Sequence, residues 1–181
     1  MKKDRLLKVA KEIANCEQCK KGKIGLPVPG EGNPNTKIIF LGEAPGYQES
    51  QRGRPFVGRA GKFLTKMLDR IGIKREEVFI TSPVKYFPGR RAPSLDEIRH
   101  GMTHTKKQIK IIKPKIIVLL GNVAIKAMLD EKLRVSDIHG KIIKKEGVNY
   151  FPTFHPSAAM RFTGMRTKME ADFKKLKSLL I

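Results

Sequence analysis

The chain has 181 residues, 40% of them hydrophobic, and sets 38 Lys and Arg against 17 Asp and Glu, a formal net charge of +21. That length suits one compact domain over residues 1–181, and the charge calls for a polyanionic partner, with nucleic acid first and acidic membrane surfaces or the ribosome behind it. A single pair of cysteines, Cys16 and Cys19, excludes a disulfide framework, and no stretch approaches the ~20 apolar residues of a membrane span.

The first residues, MKKDRLLKVAKEIA, lack the continuous apolar stretch of a secretion signal, so a cytoplasmic, intracellular protein is expected. They space Leu6, Leu7, Val9, Ala10, Ile13 and Ala14 on one face and predict a surface helix over 3–14. From Cys16 to Thr36, Gly, Pro, Asn and Lys predict a loop. Short runs rich in β-branched and aromatic residues at 37–42, 77–82, 115–121 and 148–154 predict buried strands. Helical patterns lie between and after them at 58–71, 94–112, 122–129 and 165–180, the second opened by Ser94 with Glu97 at capping-box spacing. This alternation predicts an α/β fold, a three-layer αβα sandwich around a central, mainly parallel four-stranded sheet. In such a sheet the ligand site lies beyond the carboxyl ends of the strands. That rule selects GEAPGYQE after the first strand, Ser82 and Lys85 after the second, Gly121 after the third and His155 after the fourth.

Gly42-Glu43-Ala44-Pro45-Gly46, followed by GRPFVG at 53–58, forms a stiffened loop that gathers backbone N–H groups, two carboxylates and one aromatic ring. Alone it reads equally as a phosphate-cradling loop. His155-Pro156-Ser157-Ala158-Ala159-Met160-Arg161 sets a histidine at the cleft floor, where a lone histidine is usually a satisfied structural residue. Together and in this order, the two blocks resemble the family 4 uracil-DNA glycosylases, the thermostable iron–sulfur type. The resemblance runs from the cysteine pair to HPSAAMR and includes KIIKPKIIVLLGNVA at 110–124.

The resemblance implies a monomeric base-excision repair enzyme that flips uracil or another deaminated base out of DNA and hydrolyses its bond to the sugar, with no cofactor required for the chemistry. It implies that Phe56 stacks on the base and that Glu49 orients water or stabilises the sugar cation. Glu43 and the backbone of Ala44, Pro45 and Gly46 would complete the water site, and His155 would donate a hydrogen bond to the uracil O2. Ser157 would pinch the flanking phosphates while Met160 or Arg161 fills the vacated stack, Arg161 alternatively binding phosphate. Lys85, Arg90, Arg91, Lys141 and Lys144 would line the DNA groove, unless they form only a solvated face.

The chain departs from the family twice. Family members carry four cysteines for a [4Fe-4S] cluster, and the positions matching the second pair hold Tyr86 and Gly101, so a complete cluster is not expected. His100 and His104, four apart on a predicted helix, would complete a tetrahedral zinc set with Cys16 and Cys19. The plainer expectation is two solvent-facing histidines beside a reduced, unligated cysteine pair, because nothing in the sequence sets the distance between the halves. Any metal there would be structural. Secondly, Thr81-Ser82-Pro83 stands where the family has Asn to read the base edge, and a hydroxyl makes fewer simultaneous bonds than an amide. Looser uracil selectivity, activity on deaminated purines, or a compensating backbone group would follow. The rival readings are a DNA- or RNA-binding member that has lost the reaction and a small-molecule enzyme using the glycine loop on a nucleotide. A third, a relative trapped covalently through a histidine-bearing insertion, lacks that insertion between Ile80 and Pro93.

Overall fold

The computed structural model describes residues 1–179. In chain order the elements are α1 (Lys2–Ala14), α2 (Glu17–Lys20), β1 (Glu31–Gly32), β2 (Ile38–Leu41), α3 (Tyr47–Arg52), α4 (Arg59–Arg70), β3 (Phe79–Thr81) and α5 (Leu95–Ile112). They continue with β4 (Ile116–Leu120), α6 (Asn122–Met128), α7 (Val135–Ile138), β5 (Ile143–Lys145), β6 (Val148–Thr153), α8 (Pro156–Arg161) and α9 (Thr163–Ser178). Among the described residues no helix is long and apolar enough to cross a membrane.

The sheet runs β1-β3-β2-β4-β6-β5. Its four central strands are parallel and are those predicted, whereas β1 and β5 pair antiparallel at the edges, so among the described residues the expected four strands become six. Two and three residues long, and largely exposed, the edge strands are too short and polar to carry a hydrophobic pattern. The predicted loop 16–36 likewise contains α2 and β1. The last residue of the predicted helix 165–180 lies outside the described residues.

Alternation along the strands builds the layers. Ile38 and Phe40 of β2 and Ile116, Val118 and Leu120 of β4 pack with Leu64, Met67 and Leu68 of α4 and Met169, Phe173 and Leu176 of α9. Ile39 and Leu41, with Ile117 and Leu119, turn the other way against Ile112 of α5 and Ala124 and Ile125 of α6. Each fully buried aliphatic or aromatic side chain contributes about 1.5–3 kcal/mol, and Phe40 adds a stacked contact with Phe173 at 6.0 Å between centroids. Capping fixes where α5 starts. Ser94 Oγ accepts from the Glu97 N–H at 3.2 Å and the Glu97 carboxylate accepts from the Ser94 N–H at 2.8 Å, while Lys23 and Arg91 pair with the same carboxylate. These pairs hold Glu97 far below the usual carboxylate range.

From β2 the chain moves outward to β3, then crosses back to β4 on the other side of β2. The strand order reverses there, and a crevice opens at the carboxyl ends of β2 and β4.

Candidate active site

A cavity of about 210 Å³ lies at that crevice, lined by Ala44, Pro45, Gly46, Glu49, Phe56, Ser82, His155 and Ser157 together with Val28, Pro55 and Ala60. It is smaller than the roughly 300–1,000 Å³ of ordinary small-ligand sites. One planar ring is a better match than a whole nucleotide.

Glu49 ties the first motif loop to the second. Gly46 caps α3, and Glu49, at the third helical position, reaches back to accept from the Gly46 N–H at 3.1 Å through Oε2. Its Oε1 accepts from the N–H groups of Val57 and Gly58 at 2.8 and 2.9 Å. One carboxylate therefore terminates three backbone donors and fixes a negative charge at the cavity. Glu43, partly buried at the carboxyl end of β2, is not among the lining residues, and burial raises its pKa.

Phe56 adopts a left-handed backbone with φ 50°, a conformation that costs a non-glycine residue roughly 1–2 kcal/mol. Close packing over-determines it. A Cβ at Gly42 would lie 2.7 Å from the ring, and one at Gly61 would lie 1.8 Å from the Phe56 carbonyl oxygen. Arg75 donates to the Phe56 carbonyl at 3.1 Å and to that of Pro55, and pairs with Glu31 at 3.0 Å, which also receives Arg54. Neither Arg75 nor Glu31 belongs to a motif, so sequence reading missed both.

His155 caps α8, and its Nδ1 accepts the Ser157 N–H at 3.2 Å and contacts Ser157 Oγ at 2.7 Å. A backbone N–H is always a donor, so in the neutral ring the proton sits on Nε2. Burial pushes His155 down to about 4, with the Glu49 charge pulling weakly the other way, so the ring is a neutral donor near pH 7. It stands 5.7 Å from the Phe56 ring. Ser82 is buried and its hydroxyl donates to the Val84 carbonyl at 2.8 Å. Gly121, after β4, backs the histidine without lining the cavity.

On α8, Ser157 and Met160 are partly buried and Arg161 is exposed. Phe162, 57% exposed beside them, went unnoticed because a single aromatic after a motif carries no pattern. Arg90, Lys141 and Lys144 are exposed, whereas Arg91 is paired with Glu97. The structure corrects the DNA-contact role expected of Lys85. Its side chain is 1% exposed, its ammonium donates to Thr81 and Gln108 at 2.8 and 3.2 Å, and burial pushes it down to about 7, so it cannot reach a phosphate.

A second cluster lies apart from this cavity. Cys16, Cys19, His100 and His104 bring one donor atom each to within 4.8 Å of one another. The expectation of two solvent-facing histidines is corrected, because α1 and α2 pack on α5 and bury His104 to 7% exposure. Burial pushes the Cys19 thiol up to about 12, opposite to what a redox-active thiolate requires. The [4Fe-4S] cluster implied by the family resemblance does not fit these residues. Tyr86 is buried with its hydroxyl donating to the Ala14 carbonyl at 3.3 Å, and a Cβ at Gly101 would fall 1.9 Å from the Pro83 carbonyl oxygen, so neither position can supply a thiolate.

The sequence profile described as the Uracil DNA glycosylase superfamily matches residues 29–180. The Type-4 uracil-DNA glycosylase of Sulfurisphaera tokodaii is 41% identical over 189 aligned positions, covering 98% of this chain and 86% of the relative. Those of Archaeoglobus fulgidus and Thermotoga maritima are 36% and 40% identical, covering 94% and 84% of this chain and 91% and 82% of the relatives. With the cavity at the switch point of its sheet and both motif loops lining it, the chain belongs to the uracil-DNA glycosylase superfamily.

Proposed function

We propose that the chain is a monofunctional uracil-DNA glycosylase of base-excision repair. The observation that carries this reading is the tautomer of His155, whose Nδ1 is occupied by the Ser157 N–H so that Nε2–H is left for a ligand beside Phe56. The base flips out of the duplex, enters the cavity and stacks on Phe56. As the C1′–N1 bond breaks, its electron pair moves onto the base and the sugar becomes cationic. The His155 Nε2–H donates to the base O2 where negative charge grows, and the Glu49 carboxylate stabilises the sugar. Water held at the Glu49 carboxylate and the backbone of Ala44, Pro45 and Gly46, with Glu43 behind them, adds to C1′, and its proton passes to the Glu49 carboxylate. The carboxylate then gives up that proton as the departing base anion takes one up, and the products are the free base and an abasic site. No step uses a cofactor.

Ser82 governs the base range. Its proton is committed to the Val84 carbonyl, so toward the base it can only accept. It accepts the N3–H of uracil or the equivalent ring N–H of hypoxanthine, and meets a lone pair at N3 of cytosine. Uracil is preferred and hypoxanthine tolerated. Ser157 and Arg161 bind the flanking phosphates, and Met160, with the neighbouring Phe162, fills the vacated stack. The net charge of +21 drives salt-sensitive DNA binding. A cleft complete within one chain supports a single-domain monomer, and its substrate assigns it to genomic DNA inside the cell.

The test is incubation with labelled oligonucleotides carrying U opposite G, U opposite A, single-stranded U, hypoxanthine or xanthine, followed by alkaline cleavage of abasic sites. Breaks chiefly at uracil support the proposal, and breaks at hypoxanthine alone would shift the specificity. Salt-sensitive DNA binding without cleavage of any substrate would leave a DNA-binding member of the fold that has lost the reaction.

A further inference from the structure

Cys16 and His100 are 84 positions apart in sequence, yet Cys16 Sγ lies 3.1 Å from His100 Nε2. Cys16 caps α2 and takes the Cys19 N–H on its sulfur at 3.4 Å, a turn that brings the two cysteines together. His100 and His104 project from successive turns of α5 with ring centroids 5.9 Å apart. A tetrahedral ion with Zn–S of ~2.3 Å and Zn–N of ~2.0–2.1 Å separates its ligands by roughly 3.3–3.8 Å. Four donors already within 4.8 Å of one another close on such an ion through small side-chain rotations.

An independent observation points to the same ligand. His104 is 7% exposed, and both its ring nitrogens are buried without a hydrogen-bond partner among the described residues. An imidazole is not left in that state without cause, because each unmade bond to a buried polar group destabilises the fold. The nearest carboxylate oxygen, on Glu12, is 3.9 Å from Nδ1, too far for a hydrogen bond but placed as the outer partner of a metal-bound histidine. The donor chemistry narrows the metal, and the 4.8 Å span of the four donors favours a single ion over a two-iron cluster, whose terminal ligands are held on separate irons. Two sulfurs and two imidazoles suit zinc and disfavour magnesium or calcium, which take oxygen ligands. A cubane cluster interposes an iron between each ligand and the centre, so its terminal ligands stand farther apart than those of a single ion.

We propose that Cys16, Cys19, His100 and His104 bind one zinc ion that pins the N-terminal segment to α5. Four protein ligands leave no open position, so the ion is structural. The proposal is independent of the glycosylase reading, since the two sites share no lining residue.

The test is elemental analysis of the full chain expressed with both zinc and iron in the medium, alongside acid-labile sulfide, cobalt reconstitution and thermal melting with and without a strong chelator. About one zinc per chain is expected, with no sulfide, the intense visible bands of tetrahedral thiolate-bound cobalt, and a chelator-induced Tm loss on the order of 10 °C that zinc but not magnesium reverses. His104→Ala loses the metal. Should that variant fail to fold, His100→Cys, which keeps four donors, retains one zinc per chain. Iron with matching sulfide, or folded wild-type protein without stoichiometric zinc in zinc-replete medium, would overturn the proposal. Neither result would bear on uracil excision.

Discussion

The cavity and the cysteine–histidine corner are both assembled from segments far apart in the chain, but by different means. Ala44, Ser82 and His155 each follow a strand of one parallel sheet, so the topology delivers them to a common edge, where α3 and the loop after it add Glu49 and Phe56. The corner has no such guide. Its halves meet because α1 and α2 lie against α5, with Val9, Ile13, Tyr86 and Ile111 packed around Cys19. The first set of groups is placed by strand order, the second by helix packing alone.

Changes in the cavity should therefore cost turnover and leave metal content untouched, and the largest such effects are expected at Glu49 and His155. Glu49→Gln removes the charge and leaves one amide oxygen for three N–H donors, so single-turnover excision should fall by roughly 10²–10³-fold. Each orphaned donor costs about 1–3 kcal/mol, which lowers Tm by several degrees in a thermal melt. Phe56→Ala removes the stacking surface, worth about 1–3 kcal/mol, and kcat/KM on uracil oligonucleotides should drop by roughly 10- to 100-fold.

His155 supplies a pH signature. Its folded-state value of about 4 lies below the ordinary 6.5, so between these values the unfolded chain binds more protons than the folded one. Stability is thus fully present above pH 6.5 and falls as pH drops toward 4, by up to about 3 kcal/mol. Denaturant titrations at a series of pH values should show this slope in wild type, and His155→Asn should flatten it. The smallest expected effect is at Ser82. Ser82→Asn restores a donor and an acceptor to the base edge and should raise the uracil-to-hypoxanthine rate ratio by about tenfold, or ~1.4 kcal/mol, in a competition assay.

The same contrast explains what could be read from the sequence. The four central strands announce themselves as β-branched runs, and Ser94 with Glu97 marks the start of α5 to the residue. Glycine-rich turns at strand ends disclosed the cavity. The edge strands stayed hidden because two or three half-exposed residues have no period, and Arg75 because its role is to hold carbonyls of a loop 19 and 20 positions away. Lys85 misled for a physical reason. A lysine after a strand end usually reaches solvent, but here Thr81 and Gln108 capture it inside the fold. The convergence of the cysteines and histidines depended on helix packing, which spacing alone does not encode.

The most direct test of the central claim is single-turnover excision of uracil from a labelled duplex by wild type and His155→Ala at pH 7, with duplex affinity measured in parallel. Wild type is expected to give strand breaks after alkali, with a rate lower by roughly 10²–10³-fold in the variant and nearly unchanged DNA binding. Equal rates in the two proteins, or no excision by either while DNA still binds, would contradict the claim.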